Sequence, residues 1–238
     1  MINYILTLRK QYPRQFWLLF WGILISTIGS SMIWPFLMIY VSEKLHLPLT
    51  TVASLMTLYS AMGLFASFIA GPITDRLGRK WIMVISLAIN GLAYLFMSQA
   101  NSLSSFALLM GLSGAFNPLY RVGADAMMAD LIPPQKRIDA YSIMRTGNNL
   151  GVAVGPAVGG IIASTSYTIA FFVAATGLLL YSLMVLFFAA ETLPERDPGR
   201  PAQYERFAGY GRILRDGPFM SFIFTLTLTQ ICVRVSKK

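Results

Sequence analysis

The residues best able to do chemistry are four charged side chains within six positions: Asp75, Arg76, Arg79 and Lys80. Gly71, Pro72 and Gly78 surround them, and a long apolar segment lies on either side. The chemistry on offer is ion pairing. Asp75 and Arg79 are four apart, close enough to pair at a helix end, and Asp75 can also cap a neighbouring helix N-terminus. The stretch 71–80 reads as a short turn, with Gly78 supplying backbone that other residues resist and Gly71 letting neighbouring helices approach. A second pair, Arg121 and Asp125, is also four apart, on one face of a helix. The one cysteine, Cys232, and the one histidine, His46, give no metal-ligand spacing and no disulfide. No paired carboxylates or Ser/His/Asp set gather at one depth, so catalysis has little support. No Gly-x-x-x-x-Gly-Lys-Ser/Thr loop indicates ATP as a drive. The sequence calls for no metal or other cofactor.

The elements that must hold these charges are long apolar helices. Of the 238 residues, 55% are hydrophobic and only 12% charged, against about 25% charged in soluble domains. A bilayer-spanning helix takes about 20 mostly apolar residues. Six runs qualify, at 16–41, 50–73, 81–100, 103–131, 138–163 and 167–190, and a seventh covers 218–233. The first is too long for a signal-peptide core and is read as a retained helix. The net charge of +9 does not point to nucleic acid, because the basic residues sit in short loops between apolar runs.

Those loops orient the chain. Arg9, Lys10, Arg14, Arg76, Arg79, Lys80, Lys136, Arg137 and Arg145, with five arginines over 196–215, fall on one side, and only Lys44 on the other. The N-terminus and the 191–217 segment are therefore expected on the cytoplasmic side. Trp17, Trp21, Tyr40, Trp81 and Tyr167 lie near span ends, as an aromatic belt would.

The pattern Gly71-x-x-x-Asp75-Arg76-x-Gly78-Arg79-Lys80 resembles the signature loop of the major facilitator superfamily of secondary transporters. The resemblance implies an all-α membrane protein: a six-helix N-terminal bundle plus a partial seventh helix. It further implies that Asp75 and Arg79 act with an acid at the end of helix four, here Asp130, as a latch on the outward-facing state. Protonation of the acid would release it.

On helix five, Gly147, Gly151, Gly155 and Gly159 recur every four residues, with Pro156 and Gly160 added. Such a face permits close backbone approach to another helix, and Pro156 is placed to kink the helix. Together with Arg145 and Asn149 the stretch resembles the antiporter motif of the family's drug/proton exchangers, implying a hinge that limits leak. Arg121 keeps three readings: pairing with Asp125, proton coupling as in many family exporters, or substrate contact. An arginine in mid-bilayer costs about 2.5–3.5 kcal/mol on insertion scales, so it faces a cavity or a partner. Its surroundings depart from the family's usual Arg-x-x-Gln-Gly run. Helix one has no acid between Phe16 and Val41; many multidrug exporters of the family carry one there, so the resemblance implies that a purely cationic drug range is disfavoured. Pro35 resembles the family's helix-one proline, and Phe36, Tyr40, Tyr59 and Tyr120 could line a pocket or simply pack.

The expectation is a bundle over 1–190, a cytoplasmic linker over 191–217 and a partial seventh helix over 218–238. Arg234, Lys237 and Lys238 would lie on the outer side, against the charge rule, so the chain reads as truncated or as ending in non-native residues. The implied function is proton-coupled efflux of small drug-like molecules by alternating access, in a bacterial inner membrane. The implied partners are substrate, protons, lipid and a missing C-terminal half or a second copy. The alternatives are an uptake permease of the same superfamily, or a half-length membrane protein with no transport of its own.

Overall fold

A computed structural model of the chain describes residues 11–193 and 215–235. The chain divides into two units, 1–193 and 194–238. Within the described residues the first unit is a bundle of six helices: α1 (Arg14–Leu45), α2 (Leu49–Leu77), α3 (Arg79–Met97), α4 (Leu103–Leu131), α5 (Arg137–Ala163) and α6 (Tyr167–Phe188). The described part of the second unit is α7 (Gly217–Val235). Arg9, Lys10, most of the expected linker, Lys237 and Lys238 lie outside the described residues, as do the side chains of Cys232 and Arg234.

Local sequence sets the helix ends. Pro13 and Pro48 occupy the N-cap positions of α1 and α2, where a missing N–H costs nothing. Exposed His46 closes α1 in the left-handed region, at φ 53°. Ser102 caps α4 by accepting the Ser105 N–H at 3.2 Å. Pro133 and Pro134 follow α4, and a 3-10 turn, Pro134–Lys136, leads into α5. The expected turn over 71–80 is corrected here. α2 continues through Pro72, Asp75 and Arg76 to Leu77, and Gly78 alone separates it from α3.

α1, α2, α3 and α6 are each long and apolar enough to cross a membrane. α4 and α5, with 29 and 27 residues, have the length but not the apolarity. The reason is chemical: they carry Arg121, Asp125, Asp130, Arg137, Asp139, Arg145 and three asparagines.

α1 packs on α5 and α6, α4 on α2 and α3, and α3 on α6. Exchanging α1 with α4, α2 with α5 and α3 with α6 maps these main pairings onto one another, the packing signature of two three-helix repeats. Small residues make the approaches close. The Tyr181 ring of α6 occupies the space that a side chain on Gly22 of α1 would need, and Tyr181 is fully buried. Gly114 of α4 likewise lies against the Tyr59 backbone of α2. Outward faces stay apolar, as with Phe65 and Phe68 on α2 and Trp21 and Trp81. Tyr40 is buried in the core and so is not part of a lipid-facing belt.

Candidate functional site

The charge cluster is built where α2 ends, α3 begins and α4 and α6 finish. Arg79 is the first residue of α3. Its Nη1 lies 3.5 Å from Asp75 Oδ1 on the last turn of α2, and its Nε lies 2.9 Å from Asp130 Oδ2 on the last turn of α4. Both are ion pairs by distance, without hydrogen-bond alignment. The Arg79 side chain is 11% exposed and that of Asp130 is 26% exposed. Partial burial therefore leaves these charges less screened than an open surface pair.

Two residues that the sequence reading passed over complete the cluster. Glu191, just past α6, accepts the Arg79 N–H at 2.9 Å and the Lys80 N–H at 3.1 Å. A carboxylate thus caps the N-terminus of α3, where unpaired N–H groups and the helix dipole favour an anion. The neighbouring Thr192 donates its hydroxyl to Asp130 Oδ2 at 3.1 Å. Gly78 is required twice over. Its φ is +95°, and a Cβ there would overlap the Glu191 carboxylate. The available signal was an acid placed where the apolar run of α6 stops. Arg76 is exposed, and Lys80 Nζ sits 5.8 Å from the Trp81 ring centre. Asp130, Thr192 and Glu191 thus tie α4 and the segment after α6 to the start of α3.

A cavity of about 880 Å³ opens within the bundle, lined from α1, α3, α4, α5 and α6. Arg121, Asp125, Arg145 and Tyr120 all line it. Arg121 and Asp125 share this wall but form no ion pair within 4.0 Å. α1 contributes Ser26, Thr27, Ser30 and Ser31. These hydroxyls were legible as polar positions at helical spacing in an apolar run, but were not singled out. Pro35, Phe36, Tyr40 and Tyr59 lie outside this cavity. Pro35 is exposed. Phe36 and Tyr40 flank a gap of about 10 Å³ against α5 and α6. Tyr40 donates its hydroxyl to Ser98 O at 3.2 Å and accepts from Lys44 Nζ at 2.9 Å. Tyr59 packs edge-on to Trp34, 4.6 Å between ring centres.

The glycine face of α5 meets α1. A Cβ on Gly147 would sit 2.7 Å from Phe20, on Gly151 2.8 Å from Thr27, on Gly155 2.9 Å from the Ile28 carbonyl, and on Gly159 2.5 Å from the Met32 carbonyl. At Gly155 and Gly159 the obstacle includes the α1 backbone itself, whereas at Gly147 and Gly151 the nearest atoms belong to the Phe20 and Thr27 side chains. Gly160 is different: a Cβ there would make an ordinary 3.5 Å contact with Phe36. Pro156 lies inside α5 and is half-buried, while Asn149 is exposed. Gly71 corrects the expectation of close approach, since a Cβ there would meet nothing within 4 Å. It faces away from the helix contacts that its neighbours Ala70 and Thr74 make from buried positions.

Comparison with known proteins adds a family. The model of the Major Facilitator Superfamily matches residues 19–235. A Na(+), Li(+), K(+)/H(+) antiporter of Planococcus maritimus is 31% identical over 208 residues, covering 81% of this chain and 48% of the relative. Multidrug resistance protein MdtG of Rahnella sp. (strain Y9602) is 33% identical over 182 residues, covering 71% of this chain and 42% of the relative. A crystal structure of a POT family transporter in complex with 5-aminolevulinic acid shares the fold at a TM-score of 0.69 and 19% identity. That likeness covers 93% of this chain and 47% of the other. The chain spans about half the length of the curated relatives it matches.

Proposed function

The chain belongs to the Major Facilitator Superfamily, and from that membership we propose that it forms the N-terminal half of a proton-coupled exporter of small molecules. The observation that carries this reading is one bundle holding two separate devices. A charge cluster of Asp75, Arg79 and Asp130 sits at one end, and a polar cavity lies further inside. A transporter by alternating access needs both a site and a gate.

In this reading Asp75, Arg79 and Asp130, with Gly71, Arg76, Gly78 and Lys80 around them, latch the cytoplasmic end in the outward-facing state. Protonation of Asp130 removes the charge opposite Arg79 and frees the latch. Arg121 and Asp125 are further candidates for proton coupling. The glycine face of α5, with Pro156, lets α5 and α1 move as a tight pair that admits no leak between them. The names of the antiporter and multidrug relatives support exchange and export. A second bundle, from the same polypeptide or a second copy, supplies the other wall of the cavity. The setting is a bacterial inner membrane with a cytoplasmic N-terminus, as the loop charges favour.

The test is proton flux. The purified full-length protein goes into liposomes holding a pH-sensitive dye, with cationic, neutral and anionic compounds added outside. Substrate-dependent proton movement opposite to the substrate supports export by antiport. Movement in the same direction favours the uptake permease. No movement with any class, from folded protein, overturns proton coupling.

A further inference from the structure

The cavity wall is electrically lopsided. Among the described residues Arg121, Arg137 and Arg145 line it, against a single carboxylate, Asp125. Arg137 is held by the chain, donating to Ala129 O at 2.7 Å and Ile132 O at 3.1 Å. Arg121 and Arg145 have no ion pair or hydrogen bond with any described residue. Asn148 adds a further donor: its Oδ1 accepts from Thr27 Oγ1 at 3.1 Å, which leaves its N–H groups for the cavity. Tyr94, Tyr120 and Leu178 supply apolar surface on the same wall.

Arg121 and Arg145 are both solvent-exposed on the cavity wall, and a cleft lined mainly by one sign of charge focuses its field on an incoming anion. Arginine's planar fork matches a carboxylate or phosphate in particular. Taking the transport reading as its premise, we propose that the substrate is an anionic amphiphile, with an acidic head held by Arg121 and Arg145 and an apolar body against Tyr94 and Tyr120. The wall is ill suited to a lipophilic cation, because among the described residues Asp125 is its only negative charge and shares the wall with three arginines.

Binding tests this without requiring transport. The full-length protein, in nanodiscs of zwitterionic lipid, is titrated with three matched probes: pyrenebutyrate, pyrenebutanol and pyrenebutylamine. The carboxylate should bind at least about tenfold tighter than the amine, the scale of a charge-assisted contact. Arg121→Gln and Arg145→Gln should each erase most of that preference while leaving the alcohol's affinity unchanged. Equal or tighter binding of the amine overturns the proposal, as does a carboxylate preference that survives both substitutions. Repeating the titration with phosphatidylglycerol in the disc separates two sources of the acid. With salt high enough to screen the disc surface, unchanged carboxylate binding assigns the acidic head to a substrate, whereas its loss assigns the site to a lipid headgroup and overturns the substrate proposal. A carboxylate preference without substrate-driven proton flux would leave the anion site standing and sink only the transport reading.

Discussion

Arg79 Nε lies 2.9 Å from Asp130 Oδ2, so the first residue of α3 is paired with the last turn of α4 across the end of the bundle. Asp75 flanks the same guanidinium at 3.5 Å. Three helices therefore converge on one mostly buried cation, and a change at any one member is felt by the others.

Neutralising Asp130 should weaken the proposed latch. Asp130→Asn leaves Arg79 facing only the longer contact to Asp75. Flux by the full-length protein should fall about tenfold, a typical size for a coupling between two states, with membrane insertion unchanged. Asp75→Asn should act in the same direction. Wild-type flux from both variants would remove the cluster from the mechanism.

Gly78 and Glu191 form a pair in which each explains the other. Gly78→Ala meets both a positive φ and the Glu191 carboxylate, and should destabilise by about 1–2 kcal/mol. Glu191→Gln keeps two acceptor directions poorly and loses the charge, so it should cost about 1 kcal/mol. Thermal melts of detergent-solubilised protein read both, as a lower Tm than wild type. An unchanged Tm in Glu191→Gln would mean that the cap on α3 contributes nothing.

The glycines of α5 should not be equivalent. Gly155→Leu and Gly159→Leu press into the α1 backbone and should destabilise by about 1–3 kcal/mol, as overpacking does. Gly160→Ala and Gly71→Ala have room and should melt like the wild type. Equal effects at all four positions would dissolve the distinction between packing face and open face.

Arg121 has its own test. If it couples protons, Arg121→Ala should abolish flux driven by a pH gradient. If it only holds the head of an anionic substrate, raising substrate concentration should restore gradient-driven flux. The dependence of rate on substrate concentration, with and without the gradient, separates the two.

Much of this architecture was legible in sequence because membrane helices write it plainly. The ends of the fourth run, 103–131, coincide with α4. The Asp75–Arg79 spacing predicted their pairing, and the four-residue glycine period predicted a close approach of α5 to another helix, which the structure identifies as α1. What sequence could not supply was long-range partnership. Glu191 is 112 residues from Arg79, and nothing near either residue announces the other. The turn over 71–80 was misjudged because glycine and proline usually break helices in water, whereas packed neighbours sustain α2 to Leu77. The aromatic candidates failed to gather for a related reason. Tyr40 and Tyr59 face neighbouring side chains, whereas the small hydroxyls of α1 face the cavity.

The most direct measurement is access to the cavity from the cytoplasmic side. A Ser30→Cys substitution, in full-length protein lacking other cysteines, places a thiol on the cavity wall. Labelling by a membrane-impermeant maleimide is then followed in inside-out vesicles, with and without Asp130→Asn. A latch that holds the outward-facing state predicts slow labelling that speeds up about tenfold when Asp130 is neutralised. Identical rates in the two proteins would contradict it, because the Arg79–Asp130 pair would then have no hold on which side the cavity faces.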